Sequence, residues 1–237
     1  MRPEERMEIR RQALFAAMTD EAFETLVHAA YLQVFPPHVQ LLSEGDAPAF
    51  LHVLLEGSVE MFANWNRRET TIAMLQPVAT FIPAAVITDR TNLMSARTLT
   101  KSRIALIPAQ AIRQAFDEDA HFARAMANDL AVHFRTLTRH VKELKLRTSI
   151  ERLAAHLLRL DAEAGKTGRF SFTKEKRQIA GHLGMTPESF SRALARLRDY
   201  GVIVDQNDVT LTSTEEVRRL AKPTPMIDDA EDPSPVG

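Results

Sequence analysis

The chain has 237 residues, 45% of them hydrophobic, which is enough for two domains that each bury a core. It has no run of about 18 apolar residues to span a bilayer and no apolar signal-peptide stretch, so we expect a cytoplasmic protein without a membrane partner. It contains no cysteine, which excludes disulfides, thiol catalysis and an iron–sulfur cluster bound by thiolates.

The net charge of −1 is distributed unevenly along the chain. Residues 148–222 carry 13 Lys and Arg against 10 Asp and Glu, whereas residues 223–237 carry four acidic residues and no basic one. A basic region is the electrostatic footprint of a nucleic-acid-binding domain. The Pro-rich acidic end is typical of a disordered tail. We therefore predict a DNA-binding domain at 148–222 and a disordered tail at 223–237.

The N-terminal part of the chain predicts one or two short helices followed by strands. Between Tyr31 and Pro108 the apolar residues occur in short runs that are separated by turn residues. Several short strands at close spacing are typical of a small β-barrel or sandwich. We assign residues 1–108 to a β-roll domain that includes the N-terminal helices, and the whole chain to the α+β class.

A helical period follows Pro108, and residues 109–147 are predicted to form a connecting helix and a long dimerisation helix. The apolar residues of the long helix recur at spacings of four and three, which is a heptad seam. The seam consists of Leu130, Phe134, Leu137, Val141 and Leu144. It either packs on its own domain or pairs with its twin in a parallel homodimer, and we favour the dimer. The neighbouring basic residues are predicted to form a solvated face, with proximity of the last few to DNA phosphates as the alternative: Arg135, Arg139, Lys142, Lys145 and Arg147.

Residues 173–200 have the pattern of a helix-turn-helix. Thr173 is expected to cap the first helix, Gly184 to make the turn, and Thr186 to cap the second helix with Pro187 at its first position. The next segment predicts a hairpin with Asn207 and Asp208 at its bend. Together these features predict a winged helix-turn-helix.

The N-terminal part of the second helix is the part that a recognition helix places in the major groove. Its predicted DNA-binding residues are Thr186, Glu188, Ser189, Ser191 and Arg192. Arg192 can donate two hydrogen bonds to guanine O6 and N7, and Glu188 can accept one from cytosine N4. The alternative is an exposed i,i+4 pair of Glu188 and Arg192, worth a few tenths of a kcal/mol.

The order of β-roll, long helix and winged helix-turn-helix resembles the superfamily of the cyclic-AMP receptor protein and the fumarate–nitrate reduction regulator (Crp/Fnr). The segments EGDAPAFLHVLLEGSVEMF and KRQIAGHLGMTPESFSRALARLRDYGVI carry the resemblance. It implies a cyclic-nucleotide-binding-like jelly roll and a homodimeric transcriptional regulator that binds double-stranded DNA and works with RNA polymerase. Glu188, Ser191 and Arg192 match the Glu-x-x-Ser-Arg pattern of this superfamily, which implies a palindrome of TTG(A/C)-type half-sites. The PESFSR helix most resembles that of the nitric-oxide-responsive denitrification regulators.

The resemblance does not extend to the cassette that holds the cyclic phosphate in the cyclic-AMP-binding members. Pro83 and Ala84 stand where those members have Gly-Glu, and Met94 and Ser95 stand where they have Arg-Ser. Two nearby arginines, at positions 90 and 97, are out of register. We therefore do not expect the chain to bind cyclic AMP.

A small apolar ligand, haem and no ligand remain as alternatives for the sensing domain. The resemblance to haem-binding, gas-responsive relatives makes His28, His38 and His52 candidate axial ligands, with Met61 and Met94 as weaker ones. A lone histidine on a strand, such as His52, is more often a structural residue than a metal ligand.

Two further alternatives belong to other functional classes. A cupin-type metalloenzyme needs clustered histidines, but the eight histidines here are scattered, so we expect neither an enzyme nor a metal site of that kind. A purely structural dimer with a degenerate DNA-binding domain is disfavoured by the intact caps and turn.

Overall fold

The computed structural model describes residues 2–66 and 68–228, which form two compact units. The boundary between the units lies between Arg135 and Thr136. No helix within these described ranges is both long enough and apolar enough to cross a lipid bilayer.

The N-terminal unit contains helices around a core of eight strands. Three helices come first: α1 (Pro3–Arg10), α2 (Ala13–Ala16) and α3 (Asp20–His28). The strands are β1 (Tyr31–Phe35), β2 (Gln40–Leu42), β3 (Phe50–Glu56), β4 (Val59–Trp65), β5 (Arg68–Leu75), β6 (Ala79–Phe81), β7 (Ser95–Thr98) and β8 (Ser102–Pro108). The remaining helices are α4 (Pro83–Thr88), which separates β6 from β7, then α5 (Ala109–Glu118) and the first part of α6 (Ala120–Leu146).

The strands form two antiparallel four-stranded sheets, in the orders β1-β8-β3-β6 and β2-β7-β4-β5. Side chains on β3 alternate between two cores, because successive residues of a strand point to opposite faces. Leu54 belongs to a cluster with Met61 and Ala96 from the other sheet, whereas Leu51 and Val53 pack with the helices. This arrangement confirms the predicted β-roll.

Helices cover the outer face of the first sheet and tie the start of α6 to the N-terminal helices. The Asp119 carboxylate accepts hydrogen bonds from the backbone N–H groups of His121 and Phe122, at the first turn of α6, and from the backbone and hydroxyl of Thr19. Burial raises the pKa of Asp119, but these hydrogen bonds outweigh it and lower the pKa to about 2. Asp119 therefore caps α6 as an anion and joins it to α3.

The C-terminal unit consists of the last part of α6 and a mixed group of short elements. These are α7 (Ser149–Glu163), β9 (Arg169–Ser171), α8 (Lys176–His182), α9 (Pro187–Arg196), a 3-10 turn (Leu197–Tyr200), β10 (Val202–Asp205), β11 (Asp208–Leu211), α10 (Thr214–Ala221) and α11 (Pro225–Asp228). The strands form one antiparallel sheet in the order β10-β11-β9. The hydrophobic core of the C-terminal unit includes Leu153, Ile179, Phe190 and Val217.

The boundaries of the two units differ from the predicted separate region at 109–147. Ile112 of α5 and Phe122 and Met126 of α6 are fully buried in the core of the N-terminal unit, while the second part of α6 belongs to the C-terminal unit. Helical periodicity alone could not show this division, since it gives the apolar face of a helix but not its partner.

Three local predictions are wrong in detail. The first helix of the helix-turn-helix begins at Lys176 after Glu175 as its cap, so Thr173 does not cap it. The wing turns at Gln206 and Asn207, because Asp208 already pairs with Asp205 in the sheet. The predicted tail begins with a helical turn, α11, whose Asp228 forms ion pairs. The rest of that tail, 229–237, lies outside the described residues.

Candidate DNA-binding interface and sensing site

The turn between α8 and α9 is built around Gly184, which has a φ of +62°. A Cβ atom at this position would lie 2.7 Å from Leu144 Cδ2, so a side chain there would meet the end of α6 as well as adopt a strained backbone. The backbone N–H of Met185 donates to the carbonyl oxygen of Ala180 at 2.8 Å and closes the turn. The predicted role of Gly184 is confirmed, and its contact with Leu144 is an addition from the structure.

Arg152 on α7 holds the helix-turn-helix and the end of α6 together, a role that the sequence analysis missed. Its guanidinium donates to the carbonyl oxygens of Leu183 at 2.8 Å and of Arg147 at 2.7 Å, and more weakly to Leu144 and Gly184. These acceptors lie at the C-terminal ends of α8 and α6, where carbonyl groups lack partners within the helix. A single arginine among apolar residues on the buried face of α7 was the signal for such a role.

The N-terminal half of α9 and its cap present the predicted DNA-binding residues together. The Thr186 hydroxyl accepts from the backbone N–H of Ser189 at 3.2 Å and caps the helix, with Pro187 in its first turn. Phe190 and Ala193 face the core, which leaves the opposite face in solvent. Thr186, Glu188, Ser191 and Arg192 are exposed and Ser189 is half-buried. All five predicted residues thus lie on one accessible helix end.

Arg192 and Glu188 are held by neighbours on this helix end. Arg192 Nη2 donates to Ser189 Oγ at 3.1 Å. The pKa of Glu188 is lowered by hydrogen bonds from its own backbone N–H and from Thr186, and by the charge of Arg192. The arginine therefore presents donors and the glutamate acceptors on the same surface, which is the chemistry that guanine and cytosine edges require.

The wing is fastened to the helix-turn-helix. Lys176 Nζ at the start of α8 donates to the carbonyl oxygen of Gln206 at the tip of the β10–β11 hairpin, at 2.6 Å. Ser171 Oγ donates to Asp208 across β9 and β11. The hairpin, the third strand and the two helices form a winged helix-turn-helix.

The seam of α6 divides into two kinds of residue. Phe134, Leu137 and Val141 are 70%, 57% and 46% exposed. Leu130 instead packs partly against the core of the N-terminal unit, and Leu144 covers Gly184 in the C-terminal unit. The middle of the seam is thus an exposed apolar stripe, while its two ends also pack within the chain.

The prediction that the basic residues beside the seam form a solvated face is wrong for Arg147, and Arg139 and Lys142 are half-buried. The Arg147 side chain is 6% exposed and is paired with Asp228 and Glu143. Arg147 follows the last residue of α6, and its guanidinium is buried against Asp228 of α11, a contact between residues far apart in the sequence.

The residues at the cassette positions are engaged within the β-roll. Pro83 is buried at the first turn of α4, Met94 packs with the interior cluster, and Ser95 Oγ accepts from the backbone N–H of Glu44 at 3.0 Å. Arg97 forms ion pairs with Glu60 and Glu69, and its guanidinium lies 4.3 Å from the Phe62 ring centroid. This arginine is therefore occupied by two carboxylates, and Arg90 is exposed.

Only one of the three candidate haem-ligating histidines is buried. His28 and His38 are exposed, at the end of α3 and in the β1–β2 turn. His52 is 5% exposed, its ring is 4.7 Å from that of Phe81, and its Nδ1 has no hydrogen-bond partner. Burial lowers the pKa of His52 to about 4, so it is neutral at pH 7. Within residues 2–66 and 68–228, no three His, Asp or Glu side chains converge to hold a metal ion.

A β-roll followed by a winged helix-turn-helix, with an arginine and a glutamate exposed on the second helix, defines a DNA-binding transcriptional regulator. Comparison with known families agrees: residues 151–220 match the Crp-like helix-turn-helix domain, and residues 32–119 match the cyclic nucleotide-binding domain. The chain belongs to the Crp/Fnr superfamily of transcriptional regulators, as predicted, and not to a class of enzymes.

Relatives and solved structures extend the similarity over most of the chain. A relative from Rhizobium leguminosarum bv. viciae, described as a probable transcriptional activator, is 23% identical over 187 residues, covering 76% of this chain and 77% of the relative. FixK2 from Bradyrhizobium japonicum is 21% identical with a TM-score of 0.67, covering 81% and 96% of the two chains. The c-di-GMP-responsive regulator CLP from Xanthomonas campestris is 19% identical with a TM-score of 0.69, covering 83% and 100%. At these identities the structures show the fold alone.

Proposed function

We propose that the protein acts as a homodimer that binds a palindromic site of TTG(A/C)-type half-sites. The observation that carries the proposal is the exposed N-terminal half of α9, where Glu188, Ser191 and Arg192 lie on one accessible face. Arg192 would donate to guanine O6 and N7 and Glu188 would accept from cytosine N4 on the other strand. Ser189 holds the Arg192 guanidinium.

The exposed stripe of α6 supports the dimer. Phe134, Leu137 and Val141 occur at heptad spacing on a helix of 27 residues, and three large apolar side chains on one exposed stripe favour a helical partner. A parallel pair of such helices has two-fold symmetry, which matches the symmetry of a palindromic site. RNA polymerase is the proposed partner for the regulatory step.

Replacement of Arg192 by alanine tests the recognition part of this proposal. We expect a loss of about 1–3 kcal/mol in affinity for an inverted-repeat TTG(A/C) probe, together with relaxed preference at one guanine of each half-site. Fluorescence anisotropy at one fixed salt concentration measures both effects. The matched control is Arg219→Ala, which removes a 70% exposed arginine from α10 in the same domain. If the wild-type protein binds random DNA of equal length as tightly, the proposal is wrong.

We also propose that the β-roll senses a signal other than a cyclic nucleotide. The arginine nearest to the cassette, Arg97, is paired with Glu60 and Glu69, and Pro83 and Met94 offer an anionic phosphate no charge. Isothermal titration with cyclic AMP is expected to show no binding. Saturable binding at micromolar concentration would overturn this part of the proposal.

Haem is a second candidate for the sensed group, favoured by the buried, unpartnered Nδ1 of His52. A neutral imidazole in an apolar interior has the chemistry of an axial ligand, and bound haem would supply an iron that takes up a diatomic gas. His52 would hold the iron, and Met61 and Met94 belong to the interior cluster that contains Phe81, the ring against which His52 stacks. An absorption spectrum after haem reconstitution tests this: a Soret band that His52→Phe removes and His28→Gln retains supports it. Absence of the band in the wild type overturns it.

A further inference from the structure

The C-terminal turn α11 is anchored to the joint between α6 and α7. The Asp228 carboxylate accepts hydrogen bonds from both terminal nitrogens of Arg147, with Nη1–Oδ1 at 2.7 Å, and from Arg159 Nη1 at 3.4 Å. The backbone N–H of Thr224 donates to the same carboxylate at 2.8 Å. A two-pronged arginine–carboxylate pair fixes direction as well as distance.

Two additional hydrogen bonds attach the segment around α11 to α6. Lys142 Nζ donates to the carbonyl oxygen of Met226 at 3.1 Å, and Arg147 Nη2 donates to that of Lys222 at 3.3 Å. The segment therefore contacts α6 through Lys142, near the end of the helix, and Arg147, the residue that follows the helix.

Asp228 is one of two carboxylates that pair with both Arg147 and Arg159 at this joint. Arg147 and Arg159 also pair with Glu143, whose side chain is 7% exposed. Without Asp228, two arginines would share one buried carboxylate. Leaving a buried charge without its partner is costly, so the joint would open or rearrange.

The same joint connects the exposed stripe to the recognition helix. Leu137 and Val141 lie on the part of α6 that belongs to the C-terminal unit, and Leu144 of the same helix covers Gly184 at the start of the α9 turn. In a dimer held by this stripe, the direction of α6 relative to α7 sets where each α9 lies with respect to the two-fold axis.

We propose that Asp228 is a positioning residue for DNA recognition: by locking Arg147 and Arg159, it fixes the direction of α6 against α7 and thereby the half-site spacing that the dimer accepts. This inference rests on the proposed palindrome-binding dimer. In this proposal the Asp228 carboxylate does not contact DNA. Its replacement is therefore expected to change the preference of the dimer between half-site spacings.

The test compares two probes that differ only in the spacer between the half-sites. One has the optimal spacer of the wild-type protein and the other has one additional base pair, which rotates one half-site by about 35°. The measured quantity for each variant is the spacing ratio, which is the dissociation constant for the longer probe divided by that for the optimal probe. Because both probes are titrated with the same preparation, a partly unfolded variant changes both constants alike and leaves the ratio unaffected.

Asp228→Asn removes the charge with little change of shape, and we expect it to lower the spacing ratio by about threefold or more, within the range for coupled residues. Asp228→Glu restores the carboxylate and is expected to recover part of the preference. Glu216→Gln is the control, since Glu216 forms an exposed ion pair with Arg219 on α10. An unchanged ratio in Asp228→Asn overturns the inference while the dimer proposal stands. A wild-type protein with no preference between spacers overturns both.

Discussion

At the scale of single residues, the C-terminal unit depends on charged side chains that serve backbone groups. Arg152 satisfies carbonyl oxygens at the ends of α6 and α8. Glu151 accepts from the backbone N–H and the hydroxyl of Thr148 and forms a capping box at the start of α7. Both residues act where helix ends leave backbone groups without partners. Both residues therefore stabilise helix ends through hydrogen bonds to the backbone, rather than through packing in a hydrophobic core.

Glu151→Gln tests the capping box through its pH dependence. The hydrogen bonds from Thr148, backbone first and then side chain, lower the pKa of Glu151 to about 2 from an ordinary value of 4.5. A depressed carboxylate pKa stabilises the fold above the unfolded-state pKa and loses that effect as the pH falls through the folded-state pKa. We expect the variant to lose about 1 kcal/mol at pH 7 and to approach the wild type near pH 2.

Urea denaturation followed by circular dichroism measures this free energy of unfolding. Glu215→Gln, an exposed first-turn residue of α10, is the control and is expected to change little across the same pH range. A loss in Glu151→Gln that does not shrink on acidification would contradict the role of the ionised capping box.

At the scale of elements, the turn between α8 and α9 packs closely against the end of α6. The turn at Gly184 leaves no room for a side chain, because Leu144 fills the space in which its Cβ would lie. The turn is therefore set by its glycine and also by a residue 40 positions earlier in the chain. This explains why the end of the long helix belongs to the DNA-binding unit.

Gly184→Ala tests that close contact. The positive φ alone is expected to cost about 1 kcal/mol, and the clash with Leu144 to add about 1–3 kcal/mol. Gly165→Ala is the matched control, since Gly165 also has a positive φ of +85° but nothing lies within 4 Å of the added Cβ. Comparison of the two free energies of unfolding isolates the clash. Equal losses in the two variants would show that Leu144 yields without cost.

At the scale of the whole molecule, the exposed apolar stripe on α6 is the feature that supports the proposed dimer. Phe134, Leu137 and Val141 lie in solvent in one chain, although the two ends of the seam are covered. A second copy of the same helix would cover the middle of the stripe symmetrically. The two recognition helices of the proposed dimer would then bind the two half-sites of one palindrome.

Leu137→Asp tests this assembly. Each dimer would carry two carboxylates in an apolar contact, so we expect dimerisation to weaken by about tenfold or more, with a parallel loss of affinity for the palindrome. Light scattering after size-exclusion chromatography measures the mass. Leu146→Asp is the control, because Leu146 is 68% exposed on the same helix but lies outside the heptad stripe. A monomeric wild-type protein, or a dimer that Leu137→Asp leaves intact, would contradict the assignment of the seam.

The sequence by itself determined the features that local chemistry encodes. Strand-length apolar runs predicted the β-roll, and Thr186, Pro187 and Gly184 predicted the helix-turn-helix with its exposed Glu188 and Arg192, because caps, turns and amphipathic periods depend on neighbouring residues. Only the tertiary structure decided which distant groups meet. It placed Leu144 over Gly184, Arg152 on carbonyl groups of two helices and Asp228 on Arg147, and it left only the middle of the α6 seam exposed. The Arg152–Leu183 and Arg147–Asp228 contacts join residues that are 31 and 81 positions apart, and no local pattern specifies such a pairing.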